Sequence, residues 1–464
     1  MRILLLSLIC ISALYSSTPE FGRYQTWTNA KGQSLEAAYL GTSGAKVSLQ
    51  LLSGKTSLVP IQSLSSSDQE WIQRYGWPLD SSHWFGWSKS MSLGANAVQF
   101  KKVDDSEYRN TFESEHFRVK CSTAIDNQAW KQIFRQLELF FRFMESSPWG
   151  VAATPRHNDR FEIVLTSDEY HYQLEGGSPG SAGIYIPSKQ LIFTHLVALG
   201  LRPRNYFHEP KIDLSVLTHE LTHMLMDDYM FITPAWLLEG MAEYVSFFPL
   251  THGKVNPREH LKRAQDAHLR VAQYERKSIL RSGPAPQPQD VFRLPLAEWQ
   301  SGEYTNTQGE SIQNTDNIIP FYNRGFLICY YLLHSSQDST NRLRNYLHAR
   351  RQAAPPLLEQ MKQYQAEKDA YQIELRKYRG ELLKLAREMN LRPQITPGQR
   401  RPTFEFPEGT ELPPEPIAPQ LPPALEQGID GFSHLGLLYP PSWTEEQFFA
   451  DMEKFLKKQG FQLQ

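Results

Sequence analysis

The run Leu217-Thr-His-Glu-Leu-Thr-His-Met-Leu225 constrains this chain more than any other stretch. Val216, Leu217, Leu221, Met224 and Leu225 recur at the spacing of one buried helix face, and Asp213 or Ser215 stands where a helix cap belongs. On such a helix His219 and His223, four residues apart, project from the same side and can grip one metal ion. Glu220 points beside that metal, placed to take a proton from a metal-bound water. A buried helix with two satisfied core histidines would show the same short pattern, so a second element has to decide.

That element follows in Pro234-Ala-Trp-Leu-Leu-Glu-Gly-Met-Ala-Glu-Tyr244, a helical stretch opened by a proline at its first turn. It carries Glu239 and Glu243 one turn apart. A catalytic zinc site takes three protein ligands and keeps a fourth position open, and Glu239 supplies the third to give a His2Glu set. Glu243 reads in two ways. It is either the hydrogen-bond partner that fixes a ligand histidine ring or a solvated helix carboxylate.

The arrangement resembles the gluzincin metallopeptidases, the thermolysin-like and zinc-aminopeptidase-like group, through His219, Glu220, His223 and Glu239 within Trp236-Leu-Leu-Glu-Gly-Met-Ala242. The resemblance implies one Zn(2+) per chain on His219, His223 and Glu239, with Glu220 as general base. Downstream, Pro320-Phe-Tyr-Asn-Arg-Gly-Phe326 precedes an apolar helix from Leu327 to Leu333. It is similar to the Tyr-x-x-Gly of the aminopeptidase branch, which implies Tyr322 as the oxyanion donor. Taken alone, Tyr322 is a packing tyrosine at a helix end.

The chain departs from the aminopeptidases upstream. Their Gly-x-Met-Glu-Asn loop holds a free amino terminus, whereas no acidic residue lies between Glu175 and Glu209 here. An endopeptidase, or a peptidase of narrow specificity, fits that better than an aminopeptidase. Ile184 to Ile186 and Leu191 to Thr194 read as two short strands joined by a tight turn. By the resemblance, such a sheet edge pairs with extended substrate backbone. The glycine-rich stretch from Gly176 lacks a Lys-Ser/Thr pair and a following helix, so it is not a phosphate loop.

Met1-Arg2, the apolar run Ile3 to Leu14 and Tyr15-Ser-Ser-Thr-Pro19 read as a signal peptide, with cleavage after Ala13, Ser16 or Ser17; an uncleaved anchor is the alternative. A secreted or periplasmic, cell-envelope location follows, and no later segment is apolar enough to span a membrane. From Arg23, alternating strands with turns at Lys31-Gly32 and Ser53-Gly54 indicate a small antiparallel barrel, then a helix capped near Ser65. Trp27-Thr28-x-x-x-Gly32, Val59-Pro-Ile61 and Leu64-Ser-x-x-Asp68 resemble the Sla-type homology domain of actin-patch adaptors, an SH3-like barrel. The resemblance implies peptide binding, but fold does not fix function, so a structural or substrate-presenting appendage is the expectation here, with a peptide or envelope partner.

The expected class is therefore α+β, a gluzincin-like domain of mixed sheet and helices behind an all-β SH3-like barrel. The expected division is 1–17 signal peptide, 22–76 barrel, 77–110 aromatic linker, 111–350 peptidase domain, 351–430 charged helix and proline-rich insertion, and 431–464 a returning helical piece. The linker carries Trp77, Trp84, Phe85 and Trp87. Within the peptidase domain, strand Phe117 to Cys121, helix Asn127 to Ser146 and strand Arg160 to Thr166 precede the metal helix, and a charged helix from Gly253 to Arg281 carries His252, His260 and His268 as solvated residues. Pro355 to Asn390 reads as a long charged helix, Arg392 to Pro423 as extended or disordered, and Thr444 as the cap of Glu445 to Lys458. Forty-eight basic against 50 acidic residues point to no nucleic acid. Cys121 and Cys329 read as buried thiols. The expected function is an exported zinc metallopeptidase acting on a peptide or protein substrate. The alternatives are a metal-binding envelope or adhesion scaffold without turnover and a non-peptidase metallohydrolase.

Overall fold

The computed structural model describes residues 24–53, 55–75, 90–94, 96–145, 155, 159–174, 177, 181–201, 214–230, 232–251, 253–282, 286–306, 308–313, 319–391, 404–407, 409–420, 422 and 432–461. The expected signal peptide, the four linker aromatics, Asp213 and His252 lie outside them.

The N-terminal module is an antiparallel sheet in the order β1 (Tyr24–Thr28), β2 (Ser34–Ser43), β3 (Lys46–Leu51), β4 (Thr56–Pro60). No closed barrel is present among the described residues. Among the described residues, the chain after β4 pairs back to the end of β1 through a bridge between Asn29 and Leu64, flanked by the Ala30 amide on the Ser63 carbonyl at 2.9 Å and the Ser65 amide on the Thr28 carbonyl at 2.7 Å. After β4 the chain leaves the sheet in a 3-10 turn, Ile61–Ser63, and enters α1 (Ser66–Tyr75). Trp71 of this helix fills the open side, its ring 5.3 Å from those of Trp27 and Tyr39. The Leu64-Ser-x-x-Asp68 pattern has a local cause. The Asp68 amide donates to Ser65 Oγ at 3.2 Å, and the Asp68 carboxylate accepts from the Thr28 amide at 2.7 Å, tying the helix start to β1.

Next come β5 (Met91–Ser92), β6 (Lys101–Val103), β7 (Asn110–Glu113), β8 (Phe117–Cys121), α2 (Asn127–Glu145), β9 (Phe161–Thr166), α3 (Glu169–Leu174), β10 (Gly183–Ile186) and β11 (Leu191–His195). Six of these strands form one mixed sheet in the order β10-β11-β9-β8-β7-β6, with β9 parallel to both β11 and β8. Residues 101–103, which the sequence places in the linker, thus belong to this sheet. The aromatic face of α2 covers it, Trp130 against Phe112 at 4.6 Å and Phe141 against Phe117 at 6.2 Å. The antiparallel hairpin β10–β11 puts β10 at the edge.

The helical half holds α4 (Ser215–Leu225), α5 (Ala235–Ser246), β12 (Leu250–Thr251), β13 (Lys254–Val255), α6 (His260–Ser282), α7 (Pro288–Phe292), α8 (Leu296–Ser301), β14 (Glu303–Thr305), β15 (Ser311–Gln313), α9 (Ile319–His334), α10 (Gln337–Glu388) and α11 (Glu445–Lys458). Ser215 is not a cap. It is the first residue of α4, whose N-cap position is Leu214, and its carbonyl accepts from Thr218 Oγ1 at 2.9 Å. The charged helix starts at His260 rather than Gly253, because Lys254–Val255 pair as a strand with β12 and β5. Its histidines are buried rather than solvated. His260 Nε2 donates to the Tyr244 carbonyl at 2.7 Å among aromatic rings, and His268 lies 3.1 Å from the Asn323 amide group. Charged neighbours in sequence hid an inward-facing stripe.

α11 carries a reciprocal capping box between Thr444 and Gln447 and buries Phe448, Phe449, Met452 and Leu456. It lies against α9 through Tyr331, whose hydroxyl donates to Asp451 at 2.7 Å. The long helix begins at Gln337, not Pro355, because Leu343, Tyr346, Leu347 and Ala349 already supply a buried face. Residues 355–427 form a compact unit of their own. Cys121 and Cys329 are buried and free, and burial pushes the Cys121 thiol up to about 11. Among the described residues no helix is long and apolar enough to cross a membrane.

Candidate metal centre

α4 and α5 lie side by side, and α5 also lies along α9. Two glycines set the second contact. A Cβ on Gly240 would fall on the Gly325 carbonyl group, and one on Gly325 would meet the Trp236 carbonyl oxygen at 2.5 Å. Backbone therefore meets backbone where Glu239-Gly240 crosses Tyr322-Asn-Arg-Gly325, and the two side chains of interest are drawn toward α4.

His219, His223 and Glu239 converge. His219 Nε2 and His223 Nε2 are 3.2 Å apart, and each lies 3.3 Å from Glu239 Oε2. That oxygen is buried without a well-formed hydrogen bond among the described residues. With both Nε2 atoms unprotonated, the three atoms present lone pairs to one another and could hold a cation between them. Tetrahedral ligands at about 2.0–2.1 Å from a zinc ion sit about 3.3 Å from each other, so the three atoms fit such an ion. Glu243 Oε1 lies 3.3 Å from His219 Nδ1, where it orients that ring.

The electrostatics follow from burial and pairing. Burial opposes ionisation of Glu239, but the charge of His223 and the contacts to His219 and His223 outweigh it and hold the carboxyl well below its usual range. Burial likewise opposes a charged His219, yet the bonds to Glu239 and Glu243 and the charges of Glu220 and Glu243 raise it well above the usual histidine value. Tyr322 stands beside the group, its ring centroid 6.1 Å from that of His219. Burial first, then the charges of Glu239, Glu220 and Glu243, push its phenol above the usual range, so it stays a neutral donor. Glu220 lies under the edge strand, since a Cβ on Gly183 of β10 would meet Glu220 Cγ at 3.3 Å and Val216 Cγ1 at 3.2 Å.

The structure thus brings His219, His223, Glu239, Glu243 and Tyr322 together, with Glu220 of α4 against Gly183 of β10. The sequence reading missed Trp299 of α8, whose buried ring stands at 90° to Tyr322 with centroids 5.8 Å apart. Nothing in its local sequence signals that position. It also missed the roles of Gly240, Gly325 and Gly183, although two of these sit within the motifs. A second carboxylate group, Glu115, His116 and Glu138, is different in kind. His116 donates from its backbone N and from Nδ1 to the two oxygens of Glu138 at 3.0 and 2.7 Å, so that carboxylate is already satisfied.

The N-terminal module has its own signature, the Trp27–Tyr39–Trp71 cluster and the Ser65–Asp68 tie to β1. Residues 15–76 match the family model of SLA1 homology domain 1, SHD1. The SHD1 match covers this module and leaves the candidate metal centre outside it. No curated protein matches the chain.

Proposed function

We propose that this chain is an exported zinc metallopeptidase with a gluzincin-type domain, cleaving peptide bonds within chains, and that its SHD1 module takes an SH3-like form and serves a peptide or envelope partner. The observation that carries the reading is the inward-facing triangle of His219 Nε2, His223 Nε2 and Glu239 Oε2, with a carboxylate and a neutral phenol beside it.

His219, His223 and Glu239 would hold one zinc ion per chain, and that ion, when bound, supplies Lewis acidity toward a carbonyl and toward water. The chain's own groups do the rest. Glu220 takes the proton from the attacking water and passes it to the leaving amine, the one carboxylate acting first as base and then as acid. Tyr322 donates its O–H to the oxyanion that develops on the scissile carbonyl. Glu243 holds the His219 ring so that Nε2 faces Glu239. The edge strand β10 offers backbone groups beside Glu220 to an extended substrate, and the lack of acidic residues between Glu175 and Glu209 leaves no anchor for a free amino terminus.

Elemental analysis of the purified chain with cleavage of a random peptide library tests this. The expected outcome is about one zinc per chain and internal cleavage. His223→Ala should lose the metal, and Glu220→Gln should keep it and lose turnover. Zinc retained by His223→Ala would remove the ligand assignment, and a metal-loaded chain that cleaves no peptide would remove the peptidase.

A further inference from the structure

The unit formed by residues 355–427 holds the C-terminal part of α10 and, among the described residues, a proline-rich segment without helix or strand at 404–407, 409–420 and 422. Among the described side chains of α10 beyond residue 358, those turned from solvent are Gln360, Met361, Tyr364, Tyr371, Leu375, Tyr378, Leu382, Leu385 and Ala386, with Leu375 at 9% and Ala386 at 0% exposure. Their spacing alternates three and four residues past Tyr371, and three tyrosines recur every seven. Lys368 occupies the matching position between Tyr364 and Tyr371 and is exposed. The proline-rich segment has its own rhythm. Thr410, Pro413, Pro416, Pro419 and Pro422 are half-buried, whereas the described residues between them, Ile417 at 92% exposure among them, face solvent.

A three-residue rhythm in a segment without helix or strand is that of a polyproline II helix, which advances about 9.3 Å per three residues. Seven residues of α-helix advance about 10.5 Å. A row of tyrosines and a row of prolines with such close repeats can lie face to face, each ring between successive prolines. Aromatic faces suit proline rings, and a polyproline strand is already extended, so little conformational freedom is lost when it docks. The chain also has the right length. As polyproline II, residues 410–422 span about 37 Å, the length of α-helix from Met361 to Ala386.

We propose that the tyrosine row of α10 is a binding surface for a polyproline strand, and that its occupant is the chain's own segment 410–422, the two forming a helix–polyproline hairpin. The prolines recur in register because the surface they meet recurs. The segment has no lysine or arginine from 402 to 430, and the exposed Ile417 and Glu415 lie on its outward faces.

The test is reciprocal proteolysis of the full chain. Replacing Pro413, Pro416, Pro419 and Pro422 by serine should speed chymotrypsin cleavage after Tyr364, Tyr371 and Tyr378 by about tenfold, as the covered face opens more often. Tyr371→Ala with Tyr378→Ala should speed glutamyl-endopeptidase cleavage after Glu411 to a similar degree. Circular dichroism checks that the helix persists, and Pro416→Ser alone serves as the milder variant if the fourfold one does not fold. Cleavage at either face that ignores changes in the other overturns the hairpin. So does a native dimer in sedimentation that the tyrosine variant splits and the proline variant does not, which would make the stripe a helix–helix seam.

Discussion

Tyr322 is the residue whose role depends most on where folding puts it. Some hundred residues separate it from His219 in sequence, yet the two rings are 6.1 Å apart. Its phenol is held neutral by burial and by three carboxylates, so it can donate a hydrogen bond but not supply a negative charge near neutral pH. In the proposed reaction that bond strengthens only as the carbonyl oxygen becomes an anion. Tyr322→Phe should then lower kcat by roughly 10²–10³, about 3–4 kcal/mol, with little change in KM or zinc content. A near-normal kcat would return Tyr322 to packing and move attention to His195 or Tyr304, both buried. The sequence carried the tyrosine through its motif. It could not carry Trp299, because a ring placed from another helix leaves no local trace.

Between elements, the packing behind α5 and α9 depends on neutral histidines. His260 at the start of α6 donates to the Tyr244 carbonyl, and His334 at the end of α9 lies 2.7 Å from the Tyr244 hydroxyl, with Tyr330 stacked on both histidines. Burial pushes His260 down to about 3, the hydrogen bond to Tyr244 opposing this and His334 adding to it, and burial pushes His334 down to about 4. Both values lie below the ordinary histidine value of 6.5. Above that pH the folded and unfolded chains are equally uncharged at these sites. Below it the unfolded chain gains protons that the folded chain refuses, and stability falls as pH falls toward about 4. The slope is about 1.4 kcal/mol per pH unit for each histidine. Urea midpoints at pH 7.5, 6 and 5 should decline in that order, before most carboxylates titrate, and His334→Phe should flatten the decline. A midpoint that holds constant from pH 7.5 to 5 would contradict the buried neutral pair. The charge-rich sequence around His260 and His268 suggested solvated residues, and only the inward stripe of α6 reverses that.

Across the whole molecule, the SHD1 module closes its own core. Trp27, Tyr39, Val47, Leu49, Leu64 and Ile72 are buried within its strands and helix, and the candidate metal centre is built from α4, α5 and α9. Removing residues before Gly76 should therefore leave zinc content and short-peptide hydrolysis largely intact. Loss of both in a truncation that still folds would show that the module helps build the centre. The sequence by itself determined the elements with strong periodicity and caps: β8 at Phe117–Cys121, α2 from Asn127, α4 with its two histidines one turn apart, and α11 behind Thr444. These rest on local spacing and local hydrogen bonds, which a sequence records directly. The tertiary structure alone decided which residues meet. It brought residues 63–65 back onto the end of β1 through the Asn29–Leu64 bridge, it drew residues 101–103 into the central sheet, and it brought Glu239 and Tyr322 to His219 through the crossing at Gly240 and Gly325. Those outcomes depend on the close approach of distant backbones, and that distance is a property of the packed helices rather than of any one segment.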